Sequence, residues 1–187
     1  TRELEKLRAL APGVDIWVPH IRVLRDQAAM DFIRSTGKEI WCYACAGWSK
    51  TLHPISYYRL LPWEALHYGG TGWGFFAHMW WGEDPWGVFG KERQDGLTYS
   101  TVYPGSDGPV TSRRWEAYNE GRQDYLYLRL LQENAERGDA AAGALVEEAV
   151  SSAMGLLAEG YPTRLPDEAD ADSLELFRAR MLQAVLR

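Results

Sequence analysis

The sequence predicts an α/β protein, half of an eight-stranded β/α barrel followed by a helical tail. Three observations carry that prediction. Short apolar runs alternate with crossover segments, which implies parallel strand pairing. Three of the runs end in turns rich in aromatic residues, His and Gly, the layout of the active face of a β/α barrel. A full barrel takes about 250 residues and eight strands. This chain of 187 residues supplies about four parallel strands.

Leu4, Leu7 and Leu10 have helical spacing among charges, so the chain is read as starting inside a structural element. Val14 to Val18 is a buried strand bounded by Pro12-Gly13 and Pro19. From Ile21 to Ile33 apolar residues recur at three and four, through Leu24, Ala28 and Phe32, until Gly37 stops the helix. Ile40 to Ala46 is the second strand. A mixed segment from Pro54 through Leu61, Trp63 and Leu66 to Gly69-Gly70 is the second crossover. Trp73 to Trp81 is the third strand, 82 to 96 a long polar loop, and Leu97 to Tyr103 the fourth strand, ending at Pro104-Gly105. A long helix then opens at Ser112 as N-cap, carries Trp115, Tyr118, Tyr125, Leu128 and Leu131, and stops at Gly138. Helices over 139–159 and 173–186 follow, joined by a Pro- and Asp-rich connector with Pro162 and Pro166. The expected division is 1–137 for the barrel half and 138–187 for an α-helical extension packed on it.

Composition narrows the function. With 46% hydrophobic and 25% charged residues the chain is neither disordered nor a disulfide scaffold. Residues 1–132 carry 15 basic and 15 acidic side chains and residues 133–187 carry 5 and 11, so the net charge of −6 lies entirely in the tail. No basic face is available for phosphates, which argues against nucleic acid. Charged residues or Gly interrupt every candidate for the roughly 18 apolar residues that cross a bilayer, and no signal peptide opens the chain. The compartment is left open.

Cys42 and Cys45 form a C-x-x-C on a strand, where positions three apart point to opposite faces. A redox pair sits at a helix N-terminus and structural zinc needs four ligands, so both are read as buried thiols. All nine tryptophans lie between Trp17 and Trp115. Trp17, Trp63 and Trp115 are read as core. Trp48, Trp80, Trp81 and Trp86 lie beside Gly and Pro in turns and are read as ligand-facing. With His20, Ser49, His53, His78, Glu83, Asp84, Tyr99, Tyr103 and Asp107 they line the strand ends with indole, imidazole, phenol and carboxylate. That mixture suits a carbohydrate, whose apolar ring faces stack while its hydroxyls hydrogen-bond. Each histidine alone is by default a satisfied core or loop residue, and none shows zinc-protease spacing.

The order Ile16-Trp17-Val18-Pro19, Glu39 to Tyr43, Gly70 to Phe75, Asp84-Pro85-Trp86, Asp95-Gly96-Leu97, Tyr103-Pro104-Gly105, Gly108-Pro109-Val110, Ser112 to Glu116, Gly121 and Asp124-Tyr125 resembles the C-terminal part of the glycoside hydrolase family 123 catalytic domain and its uncharacterised relatives, over about residues 14 to 131. The resemblance implies the C-terminal half of a TIM barrel from a retaining β-N-acetylgalactosaminidase-like enzyme. In such an enzyme the substrate's own 2-acetamido group attacks the anomeric carbon, and no metal or cofactor is required. It implies an amino-sugar glycoside as partner, bound by Trp41, Tyr43, Trp48, His78, Trp80, Trp81, Trp86 and Tyr103.

The family's catalytic pair is an adjacent Asp-Glu on an earlier strand, and no Asp-Glu-Pro occurs here. Asp167-Glu168 sits in the acidic connector, read as a solvated turn. Glu83 and Asp84 are weak candidates for acid and stabiliser, because their order is reversed and Asp84 matches the family's later Asp-Pro-Trp. Asn119 and Leu126 replace a usual Arg and Glu. Arg114 and Glu116 match the family and are read as an ion pair that holds their helix to the barrel. The competing expectation is a non-catalytic carbohydrate-binding or assembly module. Its partner would be a second copy, as a half-barrel homodimer, or the missing N-terminal half of its own barrel.

Overall fold

Apolar alternation and three turn clusters place a parallel sheet early in the chain, and the computed structural model contains one. It describes residues 2–45, 54–80, 86, 99–157 and 168–186. Helix α1 (Arg2–Leu10) and a short 3-10 turn lead to strand β1 (Ile16–Trp17), then α2 (Ile21–Leu24), α3 (Gln27–Ser35) and β2 (Glu39–Ala44). A π-helical turn (Pro54–Arg59), α4 (Leu61–His67) and β3 (Gly72–Phe75) follow. The remainder is a hairpin of β4 (Val102–Gly105) and β5 (Gly108–Thr111), then α5 (Arg113–Glu136), α6 (Ala140–Leu157) and α7 (Glu168–Val185). One compact unit holds residues 1–45 and 65–76, the other 46–64 and 77–187.

In the first unit the strands run parallel in the order β1-β2-β3, with Trp17 beside Ile40 and Cys42 beside Trp73. Ile40, Cys42 and Ala44 are buried while Glu39 and Trp41 are exposed, the alternation of a strand with one covered face. Trp17 is core as expected, with its indole N–H on Thr36 Oγ1 at 2.9 Å and its ring edge-on to Phe32. The single helix expected over 21–33 is two. Asp26 accepts from Ala29 N at 3.0 Å and starts α3 afresh, because a short acidic side chain competes for backbone N–H groups. Only Cys42 is a buried thiol. Strand β2 ends at Ala44, so Cys45 falls past the covered face and is exposed, which corrects the reading of two buried cysteines.

The third and fourth strands also differ from expectation. Strand β3 stops at Phe75 because its partner β2 stops at Ala44, with Phe76 N on Ala44 O as the last rung. Of the expected fourth strand, 97 and 98 lie outside the described residues, and Val102–Gly105 pairs antiparallel with β5. The physical reason is the turn. Only Ser106 and Asp107 separate the paired Gly105 and Gly108, and a two-residue loop can join antiparallel neighbours alone. Gly108 takes φ +137°, a conformation that favours glycine. Among the described residues the parallel sheet thus has three strands, rather than about four, and β4 and β5 form a hairpin of their own.

The second unit is built on α5. Ser112 caps it, accepting from Trp115 N and donating to Thr101 O at 2.6 Å, and Gly138 at φ +106° follows its end. Ala117, Gly121, Asp124, Tyr125, Leu128 and Leu131 form its buried stripe. Helix α6 presents Ala142, Val146, Ala149 and Ala153, and α7 presents Leu174, Phe177 and Met181. The run that begins at Glu168 is helical, not a turn, as early acidic residues favour a helix N-terminus. Among the described residues α6 is long and apolar enough to cross a bilayer by length and composition. Glu147 and Glu148 at its middle and the Glu148–Arg180 ion pair mark it as one helix of a packed bundle.

Candidate functional site

Where β1 and β2 end, His20 closes the sheet. Its Nδ1 accepts from Arg22 N at 3.2 Å as the cap of α2, and its Nε2 faces the Cys45 backbone, 3.3 Å from the N–H and 3.4 Å from the carbonyl oxygen. Tyr43 pairs with His20 across the strands and meets its ring edge-on at 6.3 Å. Burial and the neighbouring Cys45 push the Tyr43 phenol above its usual range. Trp41 is 42% exposed and sits two residues earlier, its ring lying over Gly72, where an added Cβ would come within 2.7 Å of Cγ. The indole donates to Glu39 Oε1 at 3.0 Å. The Thr71 hydroxyl and then this indole hold the Glu39 carboxyl below its ordinary value.

In the second unit, residues after β3 run alongside those before β4. Ala77 N donates to Tyr99 O, Tyr99 N to Trp80 O, and His78 O accepts from Thr101 N and Val102 N, all at 3.0–3.2 Å. Ser100 Oγ accepts from Trp80 N at 2.6 Å. This ladder lifts two residues into solvent. Trp80 is 58% exposed, and the His78 ring lies 4.5 Å from the Trp115 ring, itself stacked on Tyr118 at 5.4 Å and 20°. Trp115, expected as core, is half-buried as the middle of this pile. Trp86 is 55% exposed, and its ring lies 5.0 Å from Tyr103 at 30° while its indole donates to Pro104 O at 3.0 Å. Tyr103 is buried at 7%, its hydroxyl spent on Ser100 O. It therefore presents its ring to Trp86.

Trp48, Trp81, Glu83, Asp84, Ser49 and His53 lie outside the described residues. Arg114 Nε is buried without a hydrogen-bond partner and Glu116 is exposed, and the ion pair expected for them is not among those of the described residues. No group of three or more His, Cys, Asp and Glu among the described residues is gathered for a metal. A cavity of about 330 Å³ between α6 and α7 is lined by Asp139, Leu145, Arg180 and Gln183. Asp139 is already the cap of Ala142 N and Arg180 is bidentate on Glu148.

Sequence reasoning missed the charged cluster at the centre of the second unit. Arg59, 2% exposed, donates from Nε to Asp124 Oδ2 at 3.0 Å and from Nη1 to Glu175 Oε1 at 2.5 Å, with Glu120 at 3.4 Å. Asp124 is fully buried and also faces the Trp63 indole at 3.3 Å and Arg178 Nε at 3.3 Å. Burial pushes the Asp124 carboxyl up against the pull of Arg59 and Arg178. Burial likewise opposes the Arg59 charge, but Asp124 and Glu175 together hold it on. The π-helical turn comes so close to α5 that a Cβ on Gly121 would sit 2.1 Å from Arg59 O. The sequence signal was a lone Arg in an apolar aromatic stretch and an Asp on a helix's apolar stripe.

A family model described as the glycoside hydrolase 123 catalytic domain matches residues 13–131, from the turn before β1 to the buried Leu131 of α5. The match spans well over half of the chain and stops before α6 and α7. No curated protein matches the sequence.

Proposed function

This chain belongs to the glycoside hydrolase 123 catalytic-domain family through residues 13–131, and from that membership we propose that it supplies saccharide-binding residues to a retaining β-N-acetylgalactosaminidase. In this reading the three parallel strands are part of a β/α barrel and the exposed rings belong to its mouth. The reacting sugar's acetamido oxygen attacks its own anomeric carbon as the glycosidic oxygen takes a proton from a carboxylic acid and departs. A neighbouring carboxylate stabilises the positive charge on the acetamido nitrogen. Water, deprotonated by the same acid group, then opens the cyclic intermediate with net retention.

The chain's part is binding. Trp80, Trp86 and His78 supply two apolar faces and a polar edge to solvent, the combination an amphipathic pyranose needs. Tyr103 stands behind Trp86, Trp41 and Tyr43 lie on the sheet, and Trp48 and Trp81 join them on sequence grounds. The only adjacent Asp-Glu in the sequence is Asp167-Glu168, outside the matched residues. The acid and stabiliser are accordingly supplied from outside these 187 residues. The test is direct: the purified chain binds N-acetylgalactosamine in ligand-observed NMR and leaves a chromogenic β-N-acetylgalactosaminide intact. Turnover that disappears with Glu83→Gln or Asp84→Asn places the chemistry inside the chain instead.

One observation favours assembly as a second reading. Parallel sheets are ordinarily covered on both faces, yet Ile16, Val18 and Trp41 are exposed on this one. A partner that covers it is a second copy or the rest of a barrel. Mass in solution at rising concentration separates a self-associating chain from a clean monomer.

A further inference from the structure

The two exposed rings His78 and Trp86 share one construction, and it divides labour between them. Each rests on a less exposed ring: His78 on Trp115, Trp86 on Tyr103. Both are tied to the same short stretch of chain, since His78 O accepts from Thr101 N and Val102 N, and Tyr103 is the next residue. What they offer to solvent differs. The Trp86 indole N–H is already given to Pro104 O, so Trp86 presents a π-face. The His78 imidazole has no hydrogen-bond partner among the described residues, so its two nitrogens remain open to a ligand.

We infer that Trp115 and Tyr103 are positioning residues that hold His78 as the hydroxyl reader and Trp86 as the stacking surface of a saccharide site. The inference rests on the glycosidase reading above. A stacked face attracts any pyranose with an apolar side and so gives affinity without discrimination, whereas a fixed donor or acceptor distinguishes one hydroxyl orientation from another. Pre-orientation matters because an imidazole free to rotate has to be ordered when the sugar binds. The contact with Trp115, itself stacked on Tyr118, restricts that freedom beforehand.

The test compares two epimers, the methyl β-glycosides of N-acetylgalactosamine and N-acetylglucosamine, by ligand-observed NMR titration of the whole chain. The unaltered chain prefers one of them. Trp86→Ala weakens both by a similar factor, about three- to tenfold from the worth of one aromatic contact, and keeps their ratio. His78→Ala brings the ratio toward one. Trp115→Phe retains a ring under His78 and keeps the ratio, while Trp115→Leu lowers it. Tyr103→Phe retains the ring and loses only the bond to Ser100 O, so it behaves as the unaltered chain. Should Trp115→Leu fail to fold, His78→Ala and Trp86→Ala, both at exposed positions, decide the matter alone. Equal affinity of the unaltered chain for the epimers, a ratio that survives His78→Ala, or a ratio abolished by Trp86→Ala overturns the division of labour while the glycosidase reading stands. Binding of neither sugar overturns both.

Discussion

Around Arg59 and Asp124 charged groups are taken out of water and paired with one another, whereas around His78 and Trp86 rings are held in water by other rings. The two clusters lie in the same unit and are both fixed by α5, through Gly121 and Asp124 in one case and Trp115 in the other. In the first the Arg59–Asp124 contact is buried, and only Glu120 and Glu175 reach the surface. In the second a less exposed ring lies against each, while His78 and Trp86 themselves are exposed. In the proposed reading stability and recognition therefore reside in separable residues, and substitutions should move one property without the other.

The largest effect belongs to the buried cluster. Asp124→Ala leaves the Arg59 guanidinium buried with its fully buried counter-charge gone, a change that costs about 3–5 kcal/mol. In a chain of this size the midpoint of thermal unfolding falls by roughly 10 °C, read by circular dichroism. Burial opposes the Asp124 charge, and apolar residues of similar volume often replace a buried ion pair at little cost. The double change Arg59→Met with Asp124→Leu thus recovers most of the loss. A double variant as unstable as the single one refutes the orphaned charge as the cause.

Gly121→Ala comes next, because its new Cβ meets the Arg59 carbonyl, which is backbone and cannot swing aside. Forcing the π-helical turn off α5 costs about 1–3 kcal/mol in denaturant unfolding, the scale of an overpacked core. Trp86→Ala marks the other side of the comparison. It removes one aromatic contact, with Tyr103, worth about 1 kcal/mol, yet weakens saccharide binding severalfold. If it instead destabilised the chain as Gly121→Ala does, the two clusters would not be separable.

Smallest is Glu148→Gln at the exposed Arg180 pair. The Arg180 hydrogen bond lowers the Glu148 carboxyl from 4.5. Since the folded value is the lower one, its contribution is present above that pH and lost as the pH falls through the folded value. Solvent and salt screen it, so unfolding midpoints at neutral pH and moderate salt match those of the unaltered chain. A clear difference at high salt contradicts this.

Local signals were strong where one residue decides a structure. Ser112 as a cap, the Gly138 stop and the alternation through Ile40, Cys42 and Ala44 are each visible in the sequence, because capping geometry and strand period are properties of a few neighbouring residues. The sequence also marked Trp80 and Trp86 as turn residues, and both are exposed. It failed at Asp26, where one side chain split a periodic helix, and at Pro104-Gly105, which looked like a strand's end and is half of a hairpin. Periodicity says which face is apolar, but not which other strand supplies the hydrogen bonds.

The sequence by itself determined the α/β class, the helical tail, the family resemblance and the aromatic character of the candidate site. Those depend on composition, spacing and order along the chain. Only the tertiary structure decided that Tyr103 supports rather than faces outward, that Trp115 carries His78, and that Arg59 meets Asp124 across 65 positions. Those are long-range contacts. Nothing in the local chemistry of a ring or a charge fixes its partner until packing brings two distant segments within a few ångströms.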